Sequence, residues 1–362
     1  MRVAVLGAGS GGLSAVVELT QAGHDVRLWN RRAATLAPHL ARGAVRHTGV
    51  LGNGSVVPER MSTDLAAVLD GVEVAVVCLP SVVHGEVFGD LAGLGCRVPV
   101  VLNPGHTGGA LHARAVFAER SVPLPPVVEF STLTYVARTR PDGTVATTGR
   151  AHRVRAGALP DGHAALSWGV RLFPAAEPVA DVVASSLSNV NFVLHPPGAL
   201  LGASWVEATG GDFLFYVDGI TPGVGRVLDA LDAERRRVAA AYGHDLPTLL
   251  QEMAGIGTVD PGTAARGDTV AAIRAGAANR EIRAPDSLAH RYYVEDLAFG
   301  LVPFLVLAEI CGVQAEVAAS LLRLGSTVLG RDLGYAGLNR SRLGLTGLDL
   351  AAVRTLVQGQ AA

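Results

Sequence analysis

His195 is the side chain of this sequence best suited to move a proton during a reaction. It lies in residues 188–197, a string that places two asparagines and the imidazole among apolar residues and ends in Pro196 and Pro197. An imidazole titrates near neutral pH and can serve as a general acid or base. Taken alone, such a residue is also compatible with a buried core histidine whose hydrogen bonds are satisfied.

A second cluster of charge precedes the apolar residues 297–310. Arg291, Glu295 and Asp296 crowd the start of this run, which has helical spacing. An ion pair between Arg291 and Asp296 that caps the helix would explain the cluster without any chemistry. Alternatively, these charged residues could form part of a substrate-binding site.

All 30 basic residues are arginines, because the chain contains no lysine. The absence excludes a pyridoxal Schiff base, a Walker lysine on a nucleotide phosphate, and lysine as a general acid or base. Histidine is therefore the expected proton donor.

The elements that would position these residues begin at the first residue of the chain. An aliphatic run at residues 2–6 is followed by six residues that include Gly7, Gly9 and Gly12, and then by helical spacing from residue 13 to residue 22. This strand, turn and helix match the dinucleotide fingerprint, in which backbone N–H groups at a helix N-terminus bind the pyrophosphate. We expect the whole turn to contact the cofactor, namely Gly7, Ala8, Gly9, Ser10, Gly11 and Gly12.

The residues after the second predicted strand, residues 25–29, indicate which cofactor binds. An NAD-specific site usually carries a carboxylate here for the ribose hydroxyls, whereas this chain has Asn30, Arg31 and Arg32. Two guanidinium groups can bind a 2′-phosphate, so the sequence predicts that NADP(H) is preferred and that NAD(H) is possible.

Two further buried strands are expected at residues 74–79 and 98–102. Ligands of doubly wound sheets bind at the carboxyl ends of the strands, so Cys78, Leu79, Pro80 and Asn103 are expected to contact the cofactor. Residues 132–137 and 144–149 flank a Pro-Asp-Gly turn and predict an antiparallel hairpin at the end of the same sheet.

From about residue 179 the apolar spacing is helical, with helices expected at 183–194, 224–241, 246–253 and 297–310. The fold class is therefore α/β, with a Rossmann-type, doubly wound dinucleotide-binding domain over residues 1–178 and a mainly α-helical substrate domain over residues 179–362. A hinge is expected near residues 174–182.

Composition restricts the possible partners. A formal net charge of -2 gives no general attraction for nucleic acid or an anionic membrane, and residues 297–310 are too short to span a bilayer. Three separate cysteines in apolar stretches fit free thiols, so a cytoplasmic protein that binds small molecules is expected. The histidines and carboxylates show no zinc-ligand spacing, and no metal is predicted.

The chain resembles the opine dehydrogenase family, which includes the octopine and nopaline dehydrogenases. The resemblance rests on the strings at residues 191–196 and 291–303, on residues 216–222 and 229–236, and on the C-terminal pattern at 330–332 and 343–347. It covers nearly the whole chain.

The resemblance implies that an amino acid or other primary amine condenses with a 2-oxo acid and that the imine is reduced to an N-carboxyalkyl amino acid. His195 would be the general acid/base, paired with Asp296, and Arg291 would hold the oxo acid's carboxylate. The five-residue spacing lets the two charges face different partners around one helix end. His106 and Thr132 are further expected substrate contacts, and a homodimer is expected by analogy.

Thr134 and Ala298 replace prolines that many relatives carry, so the identity of the amine stays open. Two other functions also remain: an NADP-dependent reductase of a cyclic imine or a 2-oxo acid, and a catalytically silent NADP-binding sensor.

Overall fold

The computed structural model describes residues 1–359, which fold into a nucleotide-binding part followed by a helical part. Twelve strands are present in the described residues: β1 Arg2–Leu6, β2 Asp25–Trp29, β3 Val45–Gly49, β4 Gly54–Val56, β5 Arg60–Ser62, β6 Val74–Val77, β7 Val100–Leu102, β8 Val127–Phe130, β9 Tyr135–Thr139, β10 Val145–Arg150, β11 Val154–Ala158 and β12 Ala176–Pro178.

The helices of the nucleotide-binding part lie between these strands: α1 Ser10–Gln21, α2 Ala33–Leu40, α3 Leu65–Leu69, α4 His84–Gly93, α5 Gly109–Glu119 and α6 His163–Leu172. The helical part follows without further strands in the described residues: α7 Val182–Leu187, α8 Asn191–Leu201, α9 Ala203–Thr209, α10 Pro222–Tyr242, α11 Leu249–Ile256, α12 Pro261–Ala265, α13 Thr269–Ala275, α14 Arg291–Val294, α15 Val302–Ile310, α16 Glu316–Val328, α17 Leu333–Ala336 and α18 Leu350–Gln358.

The main sheet has the strand order β12-β11-β8-β7-β6-β1-β2-β5. Its neighbouring strands are parallel except for β8 and β11, which pair antiparallel. The predicted Rossmann-type parallel sheet is confirmed. The carboxyl ends of β1, β2, β6 and β7 lie at one edge, where such folds bind nucleotides.

The predicted hairpin forms, but its place in the fold was predicted wrongly. Strands β9 and β10 pair antiparallel within a separate four-stranded sheet of order β4-β3-β10-β9. This sheet packs on α1, where the Ser14 and Thr147 hydroxyls lie 2.8 Å apart. The turn signature identifies a hairpin but not the sheet that it joins.

Side chains of the central strands alternate between two hydrophobic cores on the two faces of the main sheet. Ala4 and Leu6 of β1 enter one core, while Val3 and Val5 enter the other. The first core continues into the helical part, because it also contains Phe192 of α8. One face of the sheet therefore supports the helices that carry the candidate site.

Two predicted helices are interrupted. Residues 183–194 divide into α7 and α8, because the Asn191 backbone N–H donates to the Asn189 side chain at 3.1 Å and a new helix starts there. The run at residues 297–310 starts with a π-helical turn, Leu297–Leu301, before α15. Among the helices of residues 1–359, none is long and apolar enough to cross a membrane.

Candidate active site

The glycine turn between β1 and α1 has the shape that a dinucleotide requires. Gly7 has a φ of +120°, and a Cβ on Gly12 would lie 1.8 Å from the Gly7 carbonyl oxygen, so neither position accepts another residue. A Cβ on Gly9 would meet no protein atom within 4 Å. Gly9 therefore faces open space at the N-terminus of α1, where no side chain caps the helix. This cradle fits a pyrophosphate.

The residues that follow β2 lie beside the cradle. The Asn30 Oδ1 atom accepts a hydrogen bond from the Ala8 N–H at 3.1 Å, and its amide donates to the Arg32 carbonyl. Arg31 forms an ion pair with Glu86 of α4. Arg31 follows β2 and Glu86 follows β6, and these two strands flank β1. The ion pair therefore bridges the sheet edge at which the glycine turn lies. The Arg32 side chain is exposed at the start of α2.

The predicted contacts on β6 and β7 lie at the carboxyl ends of these strands. Cys78 is buried next to Gly7, and burial raises the pKa of its thiol to about 12. Leu79 accepts a hydrogen bond from His84 through its carbonyl oxygen, and Pro80 precedes a short 3-10 turn. Asn103 exchanges two hydrogen bonds with Thr134, at 2.8 and 3.1 Å.

His195 and Asp296 come from different helical segments and form a buried pair. The Nδ1 atom of His195 lies 2.8 Å from the Asp296 Oδ2 atom, and both residues are at most 6% exposed. Burial lowers the pKa of His195, while the Asp296 carboxylate opposes this change. The neutral imidazole therefore donates its Nδ1 proton to Asp296 and keeps the Nε2 lone pair free to accept one.

Close packing of α8 against the π-helical turn brings this pair together. A Cβ on Gly300 would lie 2.6 Å from the Phe192 Cβ, so only glycine permits the approach. Asp296 directly precedes the turn and accepts, through its carbonyl oxygen, a hydrogen bond from the Leu301 N–H at 3.0 Å. Isolated π-turns are frequent at functional sites.

Two tyrosines complete the surroundings of the imidazole. The Tyr216 hydroxyl lies 2.9 Å from His195 Nε2 and 3.3 Å from the Tyr292 hydroxyl. The Tyr292 ring stacks on the imidazole with centroids 3.9 Å apart. Burial raises the pKa of both tyrosines, so each hydroxyl keeps its proton and can donate it in a hydrogen bond.

Arg291 pairs with Glu295 and not with Asp296. Its Nε atom donates to Glu295 Oε2 at 3.1 Å, whereas half of its side chain stays exposed. The other oxygen of Glu295 accepts from the Ser81 N–H, the Ser81 hydroxyl and His106 Nε2, at 2.7, 2.8 and 3.0 Å. Burial raises the pKa of Glu295, but His106 and Arg291 outweigh it and hold that pKa well below its usual range.

The structure thus separates the two remaining predicted substrate residues. Thr132 lies beside His195 in a cavity of about 120 Å³ that also contains Tyr216. His106 is buried against Glu295 and reaches Arg291 only through that carboxylate. A larger groove of about 450 Å³ between α10 and α13 shares none of the cavity's lining residues. The smaller cavity is the candidate substrate site because His195, the imidazole that Asp296 holds, forms part of its wall.

Sequence reasoning missed several residues of this site. Tyr216 and Tyr292 lie within the strings that carry the resemblance but received no role, and the Glu295 contacts to Ser81 and His106 join positions more than 180 residues apart. A hydroxyl or carboxylate that acts through such distant partners leaves no local spacing signal.

Comparison with known proteins agrees with this architecture. Residues 178–329 match the family model of the NAD/NADP octopine/nopaline dehydrogenase α-helical domain, and residues 2–103 match that of the NAD-dependent glycerol-3-phosphate dehydrogenase N-terminus. The chain is 30% identical to an opine dehydrogenase of Arthrobacter sp. (strain 1C), with 98% of each chain covered.

Two solved structures share the fold. An octopine dehydrogenase with NADH and L-arginine has a TM-score of 0.77 at 19% identity, covering 100% of this chain and 99% of that one. A yersinopine dehydrogenase with NADP+ has a TM-score of 0.72 at 15% identity, covering 99% and 98%.

The Rossmann-type cradle joined to a helical part defines an NAD(P)-dependent oxidoreductase. At 30% identity over nearly its whole length, the chain belongs to the opine dehydrogenase family.

Proposed function

We propose that this oxidoreductase joins the amine of an amino acid to a 2-oxo acid and that His195 is its general acid/base, held by Asp296. The observation that carries the proposal is the buried pair, with Nδ1 2.8 Å from the carboxylate, next to a cavity that both parts of the chain line. The bound nicotinamide nucleotide supplies the hydride that reduces the imine carbon.

We propose that His195 transfers a proton twice during the condensation. The neutral Nε2 accepts a proton from the substrate ammonium, which frees the nitrogen lone pair to attack the oxo acid's carbonyl carbon. A proton moves from the nitrogen of the adduct to its oxyanion, which gives a hydroxyl. The imidazolium then returns its proton to this hydroxyl, so that water leaves and the protonated imine forms. Asp296 stabilises the imidazolium between these steps. The Tyr216 hydroxyl, 2.9 Å from Nε2, donates to this lone pair until the substrate ammonium takes its place.

Arg291 is proposed to hold the carboxylate of the oxo acid. Glu295 fixes the Nε atom, while the half-exposed guanidinium retains its terminal N–H donors for a bidentate contact. Thr132 is proposed to contact the substrate directly, from the cavity wall. For His106 we propose an indirect part, since its imidazole reaches Arg291 through Glu295.

We also propose that NADP(H) is preferred over NAD(H). Asn30 carries no charge that would repel a 2′-phosphate, and Arg32 lies exposed beside it. Glu86 competes with such a phosphate for Arg31. In fluorescence titrations the dissociation constant for NADPH should be lower than that for NADH, and Glu86→Gln should widen the difference. Tighter binding of NADH by the unaltered enzyme would refute the preference.

The domain organisation, the location and the oligomeric state of the enzyme are also proposals. We propose a nucleotide domain over residues 1–178, a catalytic helical domain over 179–362 and a hinge near 174–182, with the enzyme acting as a cytoplasmic homodimer. Large exposed apolar side chains on the helical domain, Trp205 and Tyr335 among them, are available for a subunit interface. Light scattering of the purified protein tests the dimer.

Product analysis tests the activity itself. NADPH and NADH oxidation is followed with pyruvate, 2-oxoglutarate, glyoxylate or oxaloacetate, each alone and with a panel of amino acids, and the products are identified by mass spectrometry. The proposal predicts that oxidation requires both partners and yields a secondary amine dicarboxylate. Oxidation with the oxo acid alone, or with a cyclic imine alone, would contradict it.

A further inference from the structure

The walls of the cavity beside His195 are mostly apolar. Side chains from both sequence halves contribute, and the apolar ones are Val136, Val190, Leu194, Met253, Ile256, Ala278 and Ile282. Apart from His195, none of the described residues that line the cavity carries a group that ionises near neutral pH. The cavity therefore offers burial and dispersion contacts, and no charge to pair with.

Two carboxylates adjoin residues of the cavity wall, and both are paired within the protein. Asp296 is bound to His195. Glu252 precedes Met253 on α11, but it is 2% exposed and accepts from Arg153 and Arg155, each at 3.2 Å. These contacts also hold α11 against β11, which fixes the cavity wall that Met253 and Ile256 form. Glu252 could turn toward a ligand only by breaking its ion pairs with both arginines.

Two polar side chains of the cavity wall are hydrogen-bonded within the protein as well. The Asn279 amide donates to the Ile273 carbonyl at 2.9 Å, and the Thr258 hydroxyl donates to the Met253 carbonyl at 3.2 Å. In the described residues, the side chains of Thr132 and Asn191 have no such partner, and both are only partly buried. The polar end of a substrate can thus hydrogen-bond to free side chains beside His195. The side chain of the substrate finds no such free group.

We infer that the amine substrate of this enzyme is an amino acid with a neutral aliphatic or thioether side chain, and that basic amino acids are rejected. The inference rests on the proposed function and specifies the amine that it left open. An ammonium or guanidinium group in this cavity loses its hydration without gaining a carboxylate, which is costly. An aliphatic chain of equal length gains from every buried methylene.

Matched pairs of amino acids test the inference with pyruvate as the oxo acid. Norleucine and lysine differ only by the terminal ammonium, and so do norvaline and ornithine. We expect kcat/KM for norleucine to exceed that for lysine by about 100-fold or more, because one unpaired buried charge replaces a favourable burial. Equal or higher kcat/KM with lysine or arginine overturns the inference.

A variant of the cavity wall locates the effect. Met253→Ala should lower kcat/KM for norleucine about 10- to 100-fold while leaving that for alanine within about threefold, since alanine does not reach this wall. Met61→Ala, on β5 of the nucleotide-binding part, is the matched control and should not change the ratio. Equal losses for both amino acids in Met253→Ala would contradict the placement of the side chain.

Binding separates failure of the inference from failure of the proposed function. Calorimetric titration of norleucine and lysine into the enzyme with saturating NADPH reads the site without turnover. Norleucine binding without any opine product would refute the proposed reaction and support the amine site. Binding of lysine as tight as norleucine, or no binding of norleucine, overturns the inference.

Discussion

Glu129 of β8 is a buried carboxyl at the junction of the two parts, and its protonation should control stability. It is 0% exposed and accepts from the Ala110 N–H at 2.7 Å and from the Ser185 and Ser186 hydroxyls at 2.9 and 2.6 Å. Burial outweighs these three donors and raises its pKa to about 7 from 4.5. The folded protein therefore binds this proton more tightly than the unfolded chain does.

The sign and size of the effect follow from this difference. The stabilisation of the folded state by the proton on Glu129 is fully present below pH 4.5 and is lost as the pH rises through about 7. Its contribution to the free energy of unfolding is about 3 kcal/mol in total. Between pH 5 and pH 8 the loss is about 2.5 kcal/mol. Glu129→Gln removes the titration but keeps a neutral side chain, whose amide can donate to a serine while its oxygen accepts from Ala110.

Urea unfolding followed by circular dichroism at pH 5, 6, 7 and 8 measures the effect. The change in unfolding free energy from pH 5 to pH 8 should differ between Glu129→Gln and the unaltered protein by about 2.5 kcal/mol, with the variant losing less on alkalinisation. Other titrating groups cancel in this comparison. Glu119→Gln, at an exposed position, is the control. Identical pH dependence in Glu129→Gln and the unaltered protein would refute the reasoning.

Three further predictions concern the site. Asp296→Asn should lower kcat about 10²- to 10⁴-fold with little change in cofactor affinity, because the His195 Nδ1 atom loses its anionic acceptor. Steady-state rates and NADPH titrations measure these two quantities, and an unchanged kcat would exclude the role of Asp296. Gly9→Ala should leave the melting temperature unchanged but raise the NADPH dissociation constant at least tenfold, since the new Cβ enters the space left for the phosphates. Unaltered affinity would show that the pyrophosphate lies elsewhere. Glu295→Gln should raise KM for the oxo acid more than it lowers kcat, because Arg291 loses its anchor; a lower kcat at constant KM would argue against this.

Local sequence signals were sufficient for the first two strands of the main sheet. The bounds predicted for β1 and β2, residues 2–6 and 25–29, agree with the structure, because a short apolar run that ends at a turn is a local property. Strand β6 ends at Val77, two residues before the prediction. Sheet membership of the hairpin could not be read locally, since β10 pairs with the distant β3.

The candidate site was only partly accessible from sequence. The resemblance paired His195 with Asp296, and the structure places them in contact. The partner of Arg291 depended on helix geometry, and the four-residue spacing to Glu295 forms the ion pair while Asp296 turns to the imidazole. Tyr216 reaches the imidazole only through the packing of its loop against α8, which no spacing encodes.

The central claim is that His195 transfers protons in the condensation without contributing to nucleotide binding. Measurement of kcat and of the NADPH dissociation constant for His195→Ala, with the best amine and oxo acid pair, tests it most directly. The account predicts that kcat falls by about 10²- to 10⁴-fold while the dissociation constant stays within about twofold. Retention of most of the turnover by His195→Ala would contradict the account.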